Sequence, residues 1–348
     1  MTARAPRVLL VGEFGPGALG GYYARAFEEA LGWRVTRYDM LAAYTRGVAG
    51  RSRVLRRLLR PVRWAIMARE VVALAGREGL DLVLATKAPF LGVAAVRALR
   101  RAARTPVTMV YPDSPYGAYT LRRDVLAVLA EFDRVYIWGH RLLARLRADG
   151  VAAAAYLPFA HDPADYAREG PVALPECGRR HAVAFIGQRY AKREVWLAAL
   201  DGLDVGVWGL GWDRSEAVRR TGVCVHRTPA HGAAAAAIYR GAALAVNVLH
   251  DDNVPAHNMR TFEIPPCGVV MLTEATDEID AFFEPGRACL AAADPAGLRA
   301  EAERALADAA LARAVAAAGA RAAAPHTYAA RAAAIVADVA VAAPVGRP

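Results

Sequence analysis

Two doubly wound α/β domains are what this sequence predicts, and three observations predict them. Short runs rich in Val, Leu and Ile recur with helix-length segments between them, the pattern of parallel strands covered on both faces. The alternation stops in the proline- and glycine-rich stretch 159–180 and then restarts. The chain has 348 residues, and domains of about 100–200 residues make two the expected number.

The first half reads as strands RVLLVG (7–12), RVTRYD (34–39), DLVLAT (81–86), PVTMVY (106–111), RVYIW (134–138) and AAYLP (154–158). A glycine-rich turn follows the first strand and leads into a helical pattern near 19–31. The second half reads as HAVAFIG (181–187), DVGVWG (204–209), VCVH (223–226), ALAVNVL (243–249), GVVMLT (268–273) and ACLAA (288–292). Helices fit at about 190–200, 230–241, 258–266 and 294–322, and the alanine-rich segment 323–342 is helical by propensity. The expected division is a domain over 1–160, a linker over 161–180, a second domain over 181–322 and a C-terminal helix and tail over 323–348. Open sheets of this kind bind ligands beyond the carboxyl ends of their strands, so the chemistry is expected in turns after strands, facing an interdomain cleft.

Composition excludes several classes. The chain is 55% apolar and 22% charged, and its apolar runs fall well short of the roughly 20 residues that span a bilayer. The opening segment is too short in apolar residues for a secretion signal, so a cytoplasmic protein is expected. Cys177, Cys224, Cys267 and Cys289 lie far apart with no CxxC, which argues against a zinc knuckle or redox pair and for reduced, packed thiols. The net charge is +10, and residues 1–150 carry +13 against −3 for the rest. Such asymmetry marks an anionic partner: a lipid headgroup, a phosphorylated acceptor or nucleic acid.

Gly15-Pro16-Gly17-Ala18-Leu19-Gly20 matches GxGxxG, with Asp39 about 20 residues on, the outline of a nicotinamide-cofactor site. The glycines begin three residues after the strand's last glycine, Gly12, and no Tyr-x-x-x-Lys signature accompanies them. They equally suit a sharp backbone turn into a helix, or a loop opening onto a nucleotide in another two-domain protein.

The segment His257-Asn258-Met259-Arg260-Thr261-Phe262-Glu263-Ile264-Pro265-Pro266-Cys267-Gly268, running into VVMLTE, resembles the signature of group 1 glycosyltransferases. It is closest to the spore-maturation CgeB-type branch, with its N-x-R-x-F-E-x-x-x-C-G pattern and following apolar strand. VAFIGQRYAKR (183–193), WGLGW (208–212), AIYRGAALAVNV (237–248) and PGRACLAAADPAGL (285–298) resemble that family's other C-terminal pieces in order. YPDSPYG (111–117) and LPFAHDPADY (157–166) look like its acceptor-side loop and interdomain linker. The resemblance implies a GT-B fold: two Rossmann-like domains, an N-terminal acceptor side and a C-terminal nucleotide-sugar donor side. It implies sugar transfer from a nucleotide-sugar co-substrate, with no other cofactor and no metal, because helix dipoles and basic side chains take the metal's place.

The residues agree with that chemistry. Asn258, Arg260, Thr261 and Glu263 fall where a loop turns into a helix, whose N-terminus suits a donor diphosphate. Arg260 would stabilise the leaving diphosphate, and Glu263 would accept hydrogen bonds from ribose hydroxyls or serve only as a first-turn carboxylate. Gly187, Arg189, Lys192 and Arg193 follow a strand end and are expected against the same phosphates; a solvated helix face is their other reading. Gly15 and Gly17 join them as donor-loop candidates. Lys87 and Asp113 each follow a first-domain strand. Asp113 can orient or deprotonate an acceptor hydroxyl, or serve the turn among its neighbouring prolines. His140 has the same placement but reads better as structural. Wider-family retaining enzymes carry a second glutamate with seven residues between it and the one at 263, and Pro255 holds that place here. His250, Asp251, Asp252, Asn253 and His257 are the nearby polar candidates for the sugar.

Residues 51–67 carry six arginines interleaved with leucines and a tryptophan. The segment suits an anionic membrane surface, or a domain helix with solvated arginines that Pro61 kinks or splits. Without interleaved aromatic platforms, nucleic acid is not expected. The alternatives to a transferase are an NAD-dependent oxidoreductase using Gly15, Gly17, Gly20 and Asp39, and a non-catalytic GT-B relative that binds a nucleotide or polysaccharide.

Overall fold

The computed structural model describes residues 4–47, 52–77, 79–117, 120–167 and 180–342. The chain divides into two compact units, Met1–Pro158 with Tyr328–Pro348, and Phe159–Thr327. Each contains a six-stranded, fully parallel sheet.

The first sheet is built from β1 (Arg7–Gly12), β2 (Arg34–Asp39), β3 (Leu82–Thr86), β4 (Val107–Val110), β5 (Arg134–Ile137) and β6 (Ala154–Tyr156), in the order β2-β1-β3-β4-β5-β6. β3 and β4 are buried along their whole length, as central parallel strands must be when helices cover both faces. Two glycines of the run have a local structural reason. Gly17 takes a left-handed turn (φ +73°), and a Cβ on Gly20 would lie 2.4 Å from the Glu13 carbonyl oxygen. Asp39, which a nicotinamide site needs for the ribose, caps the following helix instead: its Oδ1 accepts from the N–H groups of Leu41 and Ala42.

The basic segment forms two helices, Arg53–Leu58 and Arg60–Arg77. The break falls at Leu59, with Pro61 in the first turn of the second helix, where its missing N–H costs nothing. Met67, Val71 and Ala75 are buried, whereas Val54, Leu55, Leu58, Leu59, Val62 and Ile66 are all exposed. The domain-helix reading therefore holds for the C-terminal turns alone. Arg51 lies outside the described residues.

The second sheet is built from β7 (Val183–Ile186), β8 (Val205–Trp208), β9 (Cys224–His226), β10 (Leu244–Asn247), β11 (Val270–Glu274) and β12 (Leu290–Ala292), in the order β12-β11-β10-β7-β8-β9. The strand order reverses between β7 and β10, so their carboxyl ends flank the switch-point crevice. The helix expected over 294–322 is two, Pro295–Ala307 and Ala309–Ala323. Asp308 is extended between them and caps the second, its Oδ1 accepting from Ala310 and Leu311 N–H.

The last helix, Tyr328–Ala342, packs within the first unit rather than standing apart. Tyr328 stacks on Tyr22 with ring centroids 4.9 Å apart, and Asp338 receives Tyr136 Oη at 2.9 Å and pairs with Arg134 at 3.0 Å. Most of the linker expected at 161–180 lies outside the described residues; Pro163–Tyr166 within it is a helical turn capped by Asp162.

Candidate functional site

The carboxyl ends of β7, β10 and β11 gather the second unit's candidate residues. Arg193, in the helix Ala191–Ala198 after β7, reaches across the switch point. Its Nε donates to the Val248 carbonyl and its Nη1 to the Gln188 carbonyl, each at 2.9 Å. Its guanidinium lies 5.4 Å from the Phe185 ring centroid and 4.9 Å from that of Tyr190. Burial brings its pKa down to about 10, which still leaves it charged at neutral pH. Gly187 makes room for it, since a Cβ there would lie 3.0 Å from Arg193 Nη1.

Its neighbours carry their own partners. Lys192 Nζ pairs with Glu274 Oε1 at 2.7 Å and lies 3.5 Å from Asp251 Oδ1. Glu274, the last residue of β11, also accepts the Leu249 N–H at 3.3 Å. Arg189 is tied to Glu194 by two hydrogen bonds at 2.7 and 3.1 Å, which hold the Glu194 carboxyl below its ordinary pKa. Arg189 is thus already engaged by a neighbouring carboxylate.

Asn258 and Thr261 build the turn that starts the helix Met259–Glu263. Asn258 Oδ1 accepts the Thr261 N–H at 3.1 Å, and Thr261 Oγ1 accepts the Asn258 N–H at 3.4 Å, a reciprocal cap. Asn258 Nδ2 donates to Asn247 Oδ1 at 2.9 Å, and Asn247 Nδ2 donates to Thr261 Oγ1 and Thr273 Oγ1 at 3.2 and 3.3 Å. Both residues therefore belong to a largely buried hydrogen-bond network. The helix is five residues long, and its Thr261 N–H is already capped from within by Asn258.

Arg260 and Glu263 form the centre. Glu263 is 1% exposed, and its Oε2 lies 2.5 Å from Arg260 Nη1. Arg260 Nε also points at the Ile186 carbonyl, at 3.4 Å. Burial alone would weaken the guanidinium's charge, but the Glu263 carboxylate together with Tyr239 and Tyr166 offsets this and raises its pKa. Among the described residues Nη2 has no hydrogen-bond partner, and a fifth of the side chain remains exposed. The guanidinium is fixed, permanently charged and open on one side, as a site for an anionic oxygen requires.

Residues 189–337 match the model of the glycosyl transferase-like family. Among curated proteins no sequence matches this chain. Its architecture is similar to that of HepE from Anabaena in complex with UDP-glucose, at 14% identity over 96% of this chain and 99% of that one, with a TM-score of 0.64. It is also similar to sucrose-phosphate synthase from Thermosynechococcus elongatus, at 16% identity over 97% and 100%, with a TM-score of 0.69. A UDP-forming trehalose-phosphate synthase from Burkholderia xenovorans aligns at 13% identity over 97% and 99%, with a TM-score of 0.64. The fold is GT-B. With Asp39 spent as a helix cap, the nicotinamide reading is not favoured.

The second unit contains residues that sequence reasoning passed over. Glu274 reads in sequence as the tail of an apolar strand; its place at a strand's carboxyl end was the available signal. His231, just before the helix Ala233–Arg240, has its pKa lowered by burial and then by the Arg260 charge, with Glu263 acting in the opposite direction. Tyr239 is fully buried, its hydroxyl has no partner among the described residues, and it senses the charges of Arg260, Glu263 and Arg193. His257 is fully buried among Phe159, Phe262 and Phe282, 3.9 Å from Glu278; it packs rather than faces a ligand. His250 Nδ1 accepts the Asp252 N–H at 3.1 Å, and Asn253 Nδ2 donates to the His257 carbonyl at 3.0 Å, so this loop is knit to itself. The Cys267 and Cys289 thiols are pushed up to about 12 by burial and cannot serve as nucleophiles. Cys177 lies outside the described residues.

In the first unit, Lys87 and Asp113 come together as an ion pair at the carboxyl ends of β3 and β4, both about one-third exposed. Lys87 adopts φ 47°, a left-handed conformation rare outside glycine. Tyr111 beside them is pushed up to about 12 by burial and the Asp113 charge. His140 stacks on Tyr156 with centroids 3.8 Å apart, a packing role. Gly15 has open space around it, and its carbonyl accepts the Ala18 N–H at 3.0 Å, closing the turn through Gly17.

Proposed function

We propose that this chain transfers a sugar from a UDP-sugar donor held by its second unit to an anionic or lipid-linked acceptor held by its first. The observation that carries the donor side is the coincidence of the glycosyl transferase-like match with the cationic groups at the second sheet's switch point. The uridine base is taken from the fold relatives: HepE is solved with UDP-glucose and with UDP. The N-x-R-x-F-E-x-x-x-C-G pattern at 258–268 supports the CgeB-type branch.

In this reading Arg260 Nη2 takes a diphosphate oxygen as charge builds on the leaving group, and Lys192 turns from Glu274 to add a second positive charge. Glu263 fixes the Arg260 guanidinium and leaves Oε1 for a ribose hydroxyl. Arg193 holds the loops after β7 and β10 in register. Asp113, paired with Lys87, orients or deprotonates the acceptor hydroxyl. The transfer step draws its positive charge from Arg260 and Lys192 rather than from a metal. The +13 charge of residues 1–150 supports the anionic acceptor, and the exposed apolar residues between the arginines of 53–66 support contact with the cytoplasmic face of a membrane. Among the described residues no helix is long and apolar enough to cross one.

A thermal-shift panel of UDP, GDP, ADP, dTDP, NAD and NADP tests the donor assignment. A ligand at about 100 times its Kd adds roughly 2.7 kcal/mol, a shift of a few degrees. Stabilisation by UDP and not by NAD or NADP is expected. Stabilisation by a nicotinamide nucleotide alone overturns the reading, and UDP binding without turnover of any UDP-sugar reduces the chain to a binding module.

A further inference from the structure

On the sheet face beside edge strand β9, three groups of metal-ligand type converge that play no part in the donor site. A ring nitrogen of His181, the Sγ of Cys224 and a ring nitrogen of His226 all lie within 4.8 Å of one another. The two histidine Nε2 atoms are 3.0 Å apart. A tetrahedral zinc with Zn–N near 2.0 Å and Zn–S near 2.3 Å separates its ligand atoms by roughly 3.3–3.6 Å. The group is therefore close to chelating geometry, and the partly exposed Cys224 and His226 supply the adjustment that closure needs.

The surroundings are arranged as a metal site's are. The His181 side chain is fully buried, and its Nδ1 lies 2.7 Å from Asp204 Oδ1. Asp204 is held in turn, its Oδ2 accepting the Ala182 N–H at 3.1 Å. A carboxylate on Nδ1 puts that ring's proton there and turns the Nε2 lone pair toward Cys224 and His226, the carboxylate–histidine–metal arrangement. Gly206, opposite Cys224 in the β8–β9 register, has no Cβ, and one built there would lie 2.4 Å from His181 Cδ2. The glycine is what lets the imidazole cross β8 to reach β9. Trp208 stacks on His226 at 4.4 Å and fixes the second ring.

We propose that His181, Cys224 and His226 bind a divalent transition metal of the zinc class, with a water in the fourth position. Two imidazoles and a thiolate suit zinc and disfavour calcium or magnesium, which take oxygen ligands. Capture replaces the Cys224 thiol proton by the metal and releases that proton to solvent. The Nε2 proton that His226 shares with His181 moves to its own Nδ1. The metal pins the edge strand β9 to the segment entering β7. This site is independent of the transfer reaction, and its failure would leave the donor assignment untouched.

Cobalt titration of the purified, chelator-treated full chain tests it. One Co²⁺ per chain is expected, with the visible bands of a tetrahedral site and a thiolate-to-cobalt charge-transfer band, both bleached by Zn²⁺. Cys224→Ser, at a partly exposed position, should keep the far-UV spectrum and lose the charge-transfer band. Asp204→Asn should weaken uptake about 10–100-fold while the band keeps its position. Absence of cobalt uptake overturns the proposal. So does a charge-transfer band that survives Cys224→Ser, which would place the thiolate at another cysteine.

Discussion

Arg260 and Glu263 sit one helical turn apart and share a 2.5 Å charge-assisted hydrogen bond, with the carboxylate almost wholly buried. Fold and function are therefore entangled at this pair. Arg260→Ala leaves a buried carboxylate without its counter-charge, and breaking a buried pair in that way costs about 3–5 kcal/mol. A loss of transfer in that variant alone would say little. Arg260→Lys keeps the charge and loses the forked donor, so it should keep most of the stability while kcat falls about 10²-fold. Glu263→Gln keeps a hydrogen-bond acceptor for Arg260 but removes its counter-charge, so it should lower the melting temperature along with donor affinity and kcat. Thermal unfolding and UDP release, measured together on the three variants, separate these effects; wild-type rates in both Arg260→Lys and Glu263→Gln would remove the pair from the reaction.

Asp113 stands on different ground. Its ion pair with Lys87 is about one-third exposed on both sides, and pairs so placed contribute about 0–1 kcal/mol. Asp113→Asn should therefore unfold within about 1 kcal/mol of wild type. If the carboxylate acts on the acceptor hydroxyl, kcat should fall about 10²–10⁴-fold, with UDP binding unchanged. A kcat within twofold of wild type would return Asp113 to the turn-forming role that its proline neighbours suggest.

The central strands were legible in sequence because they are short apolar runs buried on both faces: the run read at 7–12 coincides with its strand, that at 181–187 contains Val183–Ile186, and that at 268–273 overlaps Val270–Glu274. The break at Asp308 was not, because one aspartate inside an alanine-rich stretch looks like any exposed helix residue; its use as a cap depends on the chain's path there. The membership of the strand-end cluster followed the same division. Arg189, Lys192 and Arg193 stand directly after a strand and can be found by position. Their partners come from elements far along the chain: Glu274 for Lys192, and the Val248 carbonyl for Arg193. The reciprocal cap of Asn258 and Thr261 belongs to the same class, since it depends on the local turn and on the Asn247 amide from a strand earlier in the chain.

His231 gives the site a pH dependence. Burial first, and the Arg260 charge second, hold its pKa below the ordinary 6.5. Between that lowered value and 6.5 the unfolded chain binds more protons than the folded one, so stability should rise with pH across this window and fall as pH drops below 6.5. The contribution is fully present once the unfolded histidine is neutral. His231→Asn should flatten this part of a Tm-against-pH series run from about pH 8 to about pH 5. An unchanged slope would assign the dependence to other groups.

The two helices Arg53–Leu58 and Arg60–Arg77 lead to a prediction about lipid. Leu58 is 70% exposed, Val54 68% and Val62 58%, an exposed apolar set on an arginine-rich segment. Arg63 is not free to meet a headgroup, because its Nη1 donates to the Tyr44 carbonyl and its Nη2 to the Arg46 carbonyl, each at 2.5 Å. Arg60 lies 5.2 Å from the Trp64 ring centroid, an amphipathic pair suited to an interface. Each basic residue near an anionic surface contributes about 1 kcal/mol, and each buried apolar side chain about 1.5–3 kcal/mol. The chain should float with vesicles rich in anionic lipid, not with neutral ones, and added salt should weaken binding without abolishing it. Leu58→Glu with Val62→Glu should release it at any salt concentration and leave the melting temperature unchanged, since neither side chain is buried. Binding that salt removes completely would mean that only the charges act, and flotation that survives the double substitution would place the contact elsewhere on the first unit.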